Sequence, residues 1–76
     1  MPRVNLNRNV DDDDIRATIS AFRARNRMSV GDLVKRSGVN ANTYYAGMKE
    51  PAAFRLRDLR ALYDVLRVPK EERRGL

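Results

Sequence analysis

The sequence predicts an all-α domain of four helices, followed by a short turn that can form a fifth. Apolar residues recur three and four positions apart along most of the chain, as on the buried face of an amphipathic helix. Two helix starts of similar design, at Ser29 and Asn40, lie on either side of Gly38. No segment alternates polar and apolar residues as a strand does, and no internal repeat occurs. A chain of 76 residues forms one small core, so we expect residues 11–76 to be a single domain.

The first helix is expected to start at an acidic run and to follow a polar arm. Residues 1–10 are polar, and we expect them to form a flexible N-terminal arm. Asp11 is the expected N-cap, Val10 and Ile15 have the spacing of a hydrophobic staple, and negative charge suits a helix N-terminus. The helix should run to about Asn26. Its buried face is expected to contain Ile15, Ile19 and Phe22.

Helices 2 and 3 follow from their capping residues. Ser29 should cap a helix over residues 30–37, and Asn40 should cap one over residues 41–49, because each side-chain oxygen can accept from a free backbone N–H. Gly38 stands where the earlier helix must stop in the left-handed conformation. The connection is too short for antiparallel packing, so the two helices should cross steeply as a helix-turn-helix. The side chains expected to face the core are Leu33, Val34, Tyr44 and Met48.

A fourth helix is predicted over residues 56–66, after Pro51 ends the third. Phe54 and Leu59 have staple spacing at its start. Its apolar face is expected to contain Leu56, Leu59, Leu62, Tyr63 and Leu66. Pro69 can open a last short turn over residues 70–73.

Composition excludes several classes of function. The chain has no Cys and no His, so it lacks thiolate metal ligands, disulfides and the commonest general base. The four carboxylates of Asp11–Asp14 would point in four directions on a helix and cannot converge on one ion. No apolar run approaches a membrane span, and the N-terminus lacks the apolar region of a signal peptide. We expect a cytoplasmic protein that is not an enzyme and has no cofactor or metal.

The charge distribution points to an anionic partner. The chain carries 16 Lys or Arg against 10 Asp or Glu, a formal net charge of +6. Because four of the acidic residues form the single run Asp11–Asp14, the remainder of the chain is strongly basic. Such an excess commonly faces phosphates, with improved solubility as the plainer alternative. Beside a helix-turn-helix, it makes double-stranded DNA the expected partner.

These motifs together resemble the Cro/CI-type, lambda-repressor-like helix-turn-helix domains of the XRE family. The resemblance covers about residues 15–69 and rests on the cap Ser29, the turn Gly38-Val39, the helix start Asn40-Ala41-Asn42-Thr43 and the amphipathic fourth helix. The further segments Thr43-Tyr44-Tyr45, Lys49-Glu50-Pro51 and Phe54 to Leu59 are similar to a narrower group of short phage-type and mobile-element regulators.

The chain also departs from the family pattern. Val30 stands where a phosphate-contacting glutamine is common, and Val34 replaces a smaller residue. Arg55 occupies the usual Thr/Ser cap position of the fourth helix, while Ala46 and Gly47 stand where larger or basic residues are usual. Ala46 and Gly47 reduce the number of expected base contacts.

The contacts expected with DNA fall into two groups. Asn42 can pair bidentately with adenine, as can Asn40 if its side chain is not used in capping. The base-reading residues are expected to be Asn40, Asn42, Tyr45, Ala46 and Lys49. Backbone phosphates are expected to contact Ser29, Lys35, Arg36, Thr43, Arg55 and Arg57. Arg3 and Arg8 in the arm can reach a minor groove, with a tail of no function as the equal alternative.

The sequence thus predicts a sequence-specific DNA-binding transcriptional regulator, most simply a repressor that occupies an operator. The alternative is a protein-interaction module, an antitoxin or adaptor, built on the same helix-turn-helix. One such domain reads only a few base pairs, so specificity normally needs a dimer. A homodimer is left open, with Leu66, Val68 and Leu76 as the apolar candidates for its interface.

Overall fold

The computed structural model describes residues 3–76, and the side chains of residues 12–76. Its elements in chain order are α1 (Arg3–Arg25), α2 (Val30–Ser37), α3 (Ala41–Lys49), a 3₁₀ turn (Pro51–Ala53), α4 (Leu56–Leu66) and a second 3₁₀ turn (Lys70–Glu72). No strand occurs in the described range, so the all-α class is confirmed, as are the bounds of α2, α3 and α4.

The start of α1 differs from the prediction. The helix already begins at Arg3, so the expected N-cap at Asp11 is wrong: Asp11 lies inside a continuous helix. No Gly or Pro occurs between Arg3 and Arg25, so nothing in the chain interrupts the helix after it has started. The side chains of Arg3, Arg8 and Val10 lie outside the described range. The staple expected between Val10 and Ile15 therefore stays a prediction, as does the reach of the two arginines. The flexibility of residues 1–10 stays a prediction.

The ends of α2 form as the sequence predicts. The Ser29 hydroxyl accepts from the Asp32 backbone N–H at 3.1 Å, which satisfies one of the free donors of the first turn. Gly38 has φ of 76° and donates its N–H to the Val34 carbonyl at 3.0 Å. Only glycine adopts this left-handed conformation without steric cost. The three residues from Gly38 to Asn40 are therefore enough to connect α2 to α3.

The core lies between the C-terminal half of α1, α2 and α4. α4 packs against both α1 and α2, while α3 contacts α2 and the first 3₁₀ turn. The buried apolar side chains are Ile15, Ile19, Phe22, Leu33, Val39, Tyr44, Phe54, Leu59, Leu62, Tyr63, Leu66 and Val68. The radius of gyration is 12.2 Å, slightly above the roughly 11 Å expected for a compact chain of this length.

Two apolar positions differ from the prediction. Leu56 was expected on the buried face of α4 but is 57% exposed. Phe54, two residues earlier, is the apolar side chain of this segment that is buried in the core. Leu66 and Val68 were expected as candidates for a homodimer interface. Both are buried in the core of the single chain, at 0% and 2% exposure, and only Leu76 of the three candidates is exposed.

Hydrogen bonds attach the C-terminal segment to the helices. The Tyr63 hydroxyl donates to the Arg74 carbonyl at 2.8 Å, and the Arg73 guanidinium donates to the Val68 carbonyl and to the Asp64 carboxylate. The Asn26 amide donates to the Leu66 carbonyl at 3.0 Å, which links the ends of α1 and α4. No helix in the described range is long and apolar enough to cross a bilayer.

Candidate nucleic-acid interface

One side of α3 is packed into the fold, and the opposite side is open. At about 100° of rotation per residue, Asn42, Tyr45, Ala46 and Lys49 lie within about 100° of each other around the helix. All four are exposed. Tyr44 and Gly47, on the other side, are buried. α3 thus presents an outer face of one amide, one phenol, one methyl and one ammonium group.

Asn40 serves as the N-cap of this helix. Its Oδ1 accepts from the Asn42 backbone N–H at 2.7 Å, with the backbone of Asn40 extended. A bidentate contact with adenine needs the amide oxygen as well as the amide nitrogen. The condition under which Asn40 was expected to read a base is therefore not met, since its oxygen is used in capping.

The two adjacent tyrosines are divided between the core and the outer face. Tyr44 is 3% exposed and Tyr45 is 59% exposed, and their rings meet edge to face with centroids 5.5 Å apart. Burial raises the pKa of the Tyr44 phenol above its ordinary value, and the neighbouring Arg23 guanidinium opposes that shift. Tyr44 therefore fixes the inner side of α3 and leaves Tyr45 as the outward aromatic group.

Beside the outer face lies a concave depression of about 360 Å³. It is lined by Thr43, Ala46, Ala53, Arg55, Arg57 and Asp58. The Asp58 carboxylate accepts from the Arg55 backbone N–H at 3.3 Å, which takes the place of a capping side chain at the start of α4. The depression brings together four of the predicted site residues from α3 and α4.

The predicted site residues on α2 do not line this depression. The Ser29 hydroxyl is used to cap its own helix. Lys35 and Arg36 are exposed in the last turn of α2. The structure therefore places the expected phosphate contacts on two surfaces, one at the end of α2 and one between α3 and α4.

The exposed cations of these surfaces are not neutralised by the fold. Among the side chains of residues 12–76, ion pairs involve Arg16 with Asp13 and Arg73 with Asp64, each at 2.8 Å. The predicted site cations Lys35, Arg36, Lys49, Arg55 and Arg57 have no carboxylate oxygen within 4.0 Å in that range. Their positive charge is available to an external anion.

Two residues of this region were missed by sequence reasoning. Arg16, on α1, donates to the Met48 carbonyl at 3.3 Å and to the Lys49 carbonyl at 2.9 Å. Gly47 lies against the Phe54 ring so closely that a Cβ at position 47 would overlap the ring. Gly47 is thus a packing position rather than a lost base contact. The spacing of Phe54 after the helix was visible in the sequence, whereas the contact made by Arg16 left no local signal.

Comparisons with known proteins do not assign the chain to a class. No protein-family model matches it, and neither the curated proteins nor the solved structures contain a match. Among the described residues, no group of three or more acidic side chains is arranged to hold a metal ion.

Proposed function

We propose that this chain is a sequence-specific DNA-binding regulator with a lambda-repressor-like helix-turn-helix fold, most simply a repressor. The observation that carries the proposal is the outer face of α3. It presents Asn42, Tyr45 and Lys49 to solvent while its inner face is fixed in the core. α2, its three-residue connection and α3 have the lengths of a helix-turn-helix unit, in which the second helix enters the major groove.

In this proposal the outer face of α3 reads base edges. The Asn42 side-chain oxygen can accept from the adenine N6 amino group while its side-chain nitrogen donates to adenine N7. Lys49 can donate to guanine or to a phosphate, and the Tyr45 ring can pack on a thymine methyl group. Ala46 has no polar group, so its contribution is limited to close approach and apolar contact.

Phosphates on either side of the groove would be held by the two basic surfaces. Arg55 and Arg57 present guanidinium groups beside the depression next to α3, and Lys35 and Arg36 present cations at the end of α2. Such contacts supply affinity and fix the register of the protein on the duplex, but they carry no sequence information.

A second candidate is a protein-interaction module, such as an antitoxin or adaptor. The observation that favours it is Leu56, an exposed leucine at the start of α4, between Arg55 and Arg57. An exposed apolar side chain in that position is better buried against a partner protein than against the charged phosphate backbone of DNA. The two candidates differ in their response to salt, because only DNA binding releases condensed counterions from phosphates.

Selection of bound duplexes from a random library, followed by titration of the best duplex at 50 and 200 mM salt, tests the proposal. We expect an enriched motif and an affinity that falls at least about tenfold between the two salt concentrations, for two or more neutralised phosphates. Neutralising Arg55 and Arg57 should reduce that salt dependence. An affinity that is independent of salt, or no binding to any duplex at low salt, would contradict the proposal and favour the interaction module.

A further inference from the structure

The C-terminal end of α3 is closed by a side chain from another helix. The last carbonyls of an α-helix have no partner within the helix. α1, α2 and α4 are each followed within two residues by a left-handed residue, Arg27, Gly38 or Arg67. α3 is followed instead by Glu50, whose φ is −141°.

The sequence after α3 explains why the chain does not close this helix itself. Pro51 restricts the residue before it to extended backbone, which disfavours a left-handed cap at Glu50. Pro51 also lacks the N–H that would otherwise donate to the Gly47 carbonyl. The Ala53 N–H, four residues beyond Lys49, already donates to the Glu50 carbonyl at 2.8 Å.

Arg16 supplies donors that the chain after α3 lacks. One guanidinium nitrogen donates to the Met48 and Lys49 carbonyls, and the other donates to the Asp13 carboxylate at 2.8 Å. Its positive charge lies at the negative end of the α3 dipole. The planar guanidinium holds these three acceptors in one fixed arrangement.

We propose that Arg16 is a positioning residue for sequence recognition: it fixes the end of α3 that carries Lys49, without contacting DNA itself. This inference rests on the proposed function, because positioning matters only if the outer face of α3 reads bases. Asp13 orients the guanidinium. Loss of Arg16 should loosen the last turn of α3 while the remainder of the fold keeps its order.

Amide hydrogen exchange tests this locally and without DNA. In Arg16→Met, we expect exchange at Lys49 and Glu50 to accelerate about tenfold more than at Gly38, whose N–H closes α2. The matched control is Arg60→Met, which removes the same charge from an exposed site on α4. It should leave the exchange rates of Lys49 and Glu50 relative to that of Gly38 unchanged. Equal acceleration at all three amides would mean that Arg16 acts only through overall stability, and would overturn the inference.

The DNA measurement compares affinity for the selected duplex with affinity for a scrambled duplex. We expect Arg16→Met to reduce the selected-to-scrambled ratio by roughly tenfold, within the range for loss of one base contact. Arg60→Met should leave the ratio as it is, even if both affinities fall. An unchanged ratio in Arg16→Met would overturn the inference and leave the proposed function intact.

Two further outcomes distinguish failure of the proposed DNA-binding function from failure of the proposed role of Arg16. If the wild-type chain binds no duplex, the proposed function fails, while the exchange ratio still decides whether Arg16 orders the end of α3. If Arg16→Met does not fold, the guanidinium protons of the wild-type chain provide the test. Those of Arg16 should exchange more slowly than those of Arg60, and equal rates would contradict the anchoring contact.

Discussion

The Phe54 ring lies directly against the backbone of Gly47, so no side chain can be accommodated at position 47 without displacing the ring. This contact joins the inner side of α3 to the segment that leads into α4. The helix that presents the proposed DNA-reading face is thereby seated on the core through a glycine.

Gly47→Ala should destabilise the fold despite the better helix propensity of alanine. Propensity alone would gain about 1 kcal/mol, whereas overpacking against a buried ring costs typically 1–3 kcal/mol. The control is Gly31→Ala in α2, where the nearest atom to an added Cβ is the Ser29 hydroxyl at 3.8 Å. Urea unfolding should show Gly47→Ala less stable and Gly31→Ala more stable than the wild type. Equal stabilisation of both variants would contradict the contact with Phe54.

Gly38, after α2, and Arg67, after α4, both adopt the left-handed conformation. Adding a side chain at position 38 should therefore destabilise the fold, and removing the side chain at position 67 should stabilise it. Gly38 has φ of 76° and nothing within 4 Å of an added Cβ, so Gly38→Ala is penalised by backbone conformation alone. Arg67 has φ of 58° and already carries that penalty, which Arg67→Gly should remove. We expect thermal melts to show changes of about 1 kcal/mol in each direction. A stabilised Gly38→Ala would show that α2 does not end in this conformation.

Stability should fall as the pH is raised above 10. Burial raises the pKa of the Tyr63 phenol from 10.0 to about 12. Between these values the unfolded chain has lost the Tyr63 proton and the folded chain keeps it, so the folded state becomes less favoured as pH rises. The slope is at most about 1.4 kcal/mol per pH unit for one group. Tyr63→Phe, which also loses the hydrogen bond to the Arg74 carbonyl, should flatten this decline in urea unfolding at pH 9 to 12. An identical decline in the variant would assign it to other groups.

Neutralising Asp12 and Asp14 together should leave the fold intact and should not weaken DNA binding. The acidic run lies inside α1, not at its N-terminus, so its charges repel each other without the compensation expected from the helix dipole. Asp13 is kept because it pairs with Arg16. The Asp12→Asn, Asp14→Asn variant should melt no lower than the wild type and bind duplex at least as tightly. Unfolding or loss of binding would reveal a specific role for the run.

The parts of the structure that the sequence predicts well are those decided within a few residues. Ser29, Gly38 and Asn40 act on their own backbone neighbours, so the bounds of α2 and α3 could be read directly. The start of α1 was misplaced because Asp11 has the composition of an N-cap, and a local signal cannot show that a helix is already running. The exposure of Leu56 and the contact of Arg16 with α3 depend on how distant segments pack, which periodicity does not encode.

The candidate site, too, could be predicted from the sequence only where it depends on residues close together in the chain. The outer face of α3 follows from helical spacing once Tyr44 is assigned to the core. The grouping of Thr43 with Arg55 and Arg57 around one depression requires the path of the chain between α3 and α4, which the sequence alone does not provide.

A comparison of Asn42→Ala with Asn40→Ala tests the central claim most directly, because the two asparagines flank the same helix start and have different roles. In each variant, the melting temperature and the duplex selected from a random library are measured. Asn40→Ala should lose a cap worth about 1 kcal/mol and keep the wild-type motif. Asn42→Ala should keep its stability and lose about 1–3 kcal/mol of affinity on the wild-type motif. If Asn42→Ala selects the wild-type motif with unchanged affinity, α3 does not read DNA through this face.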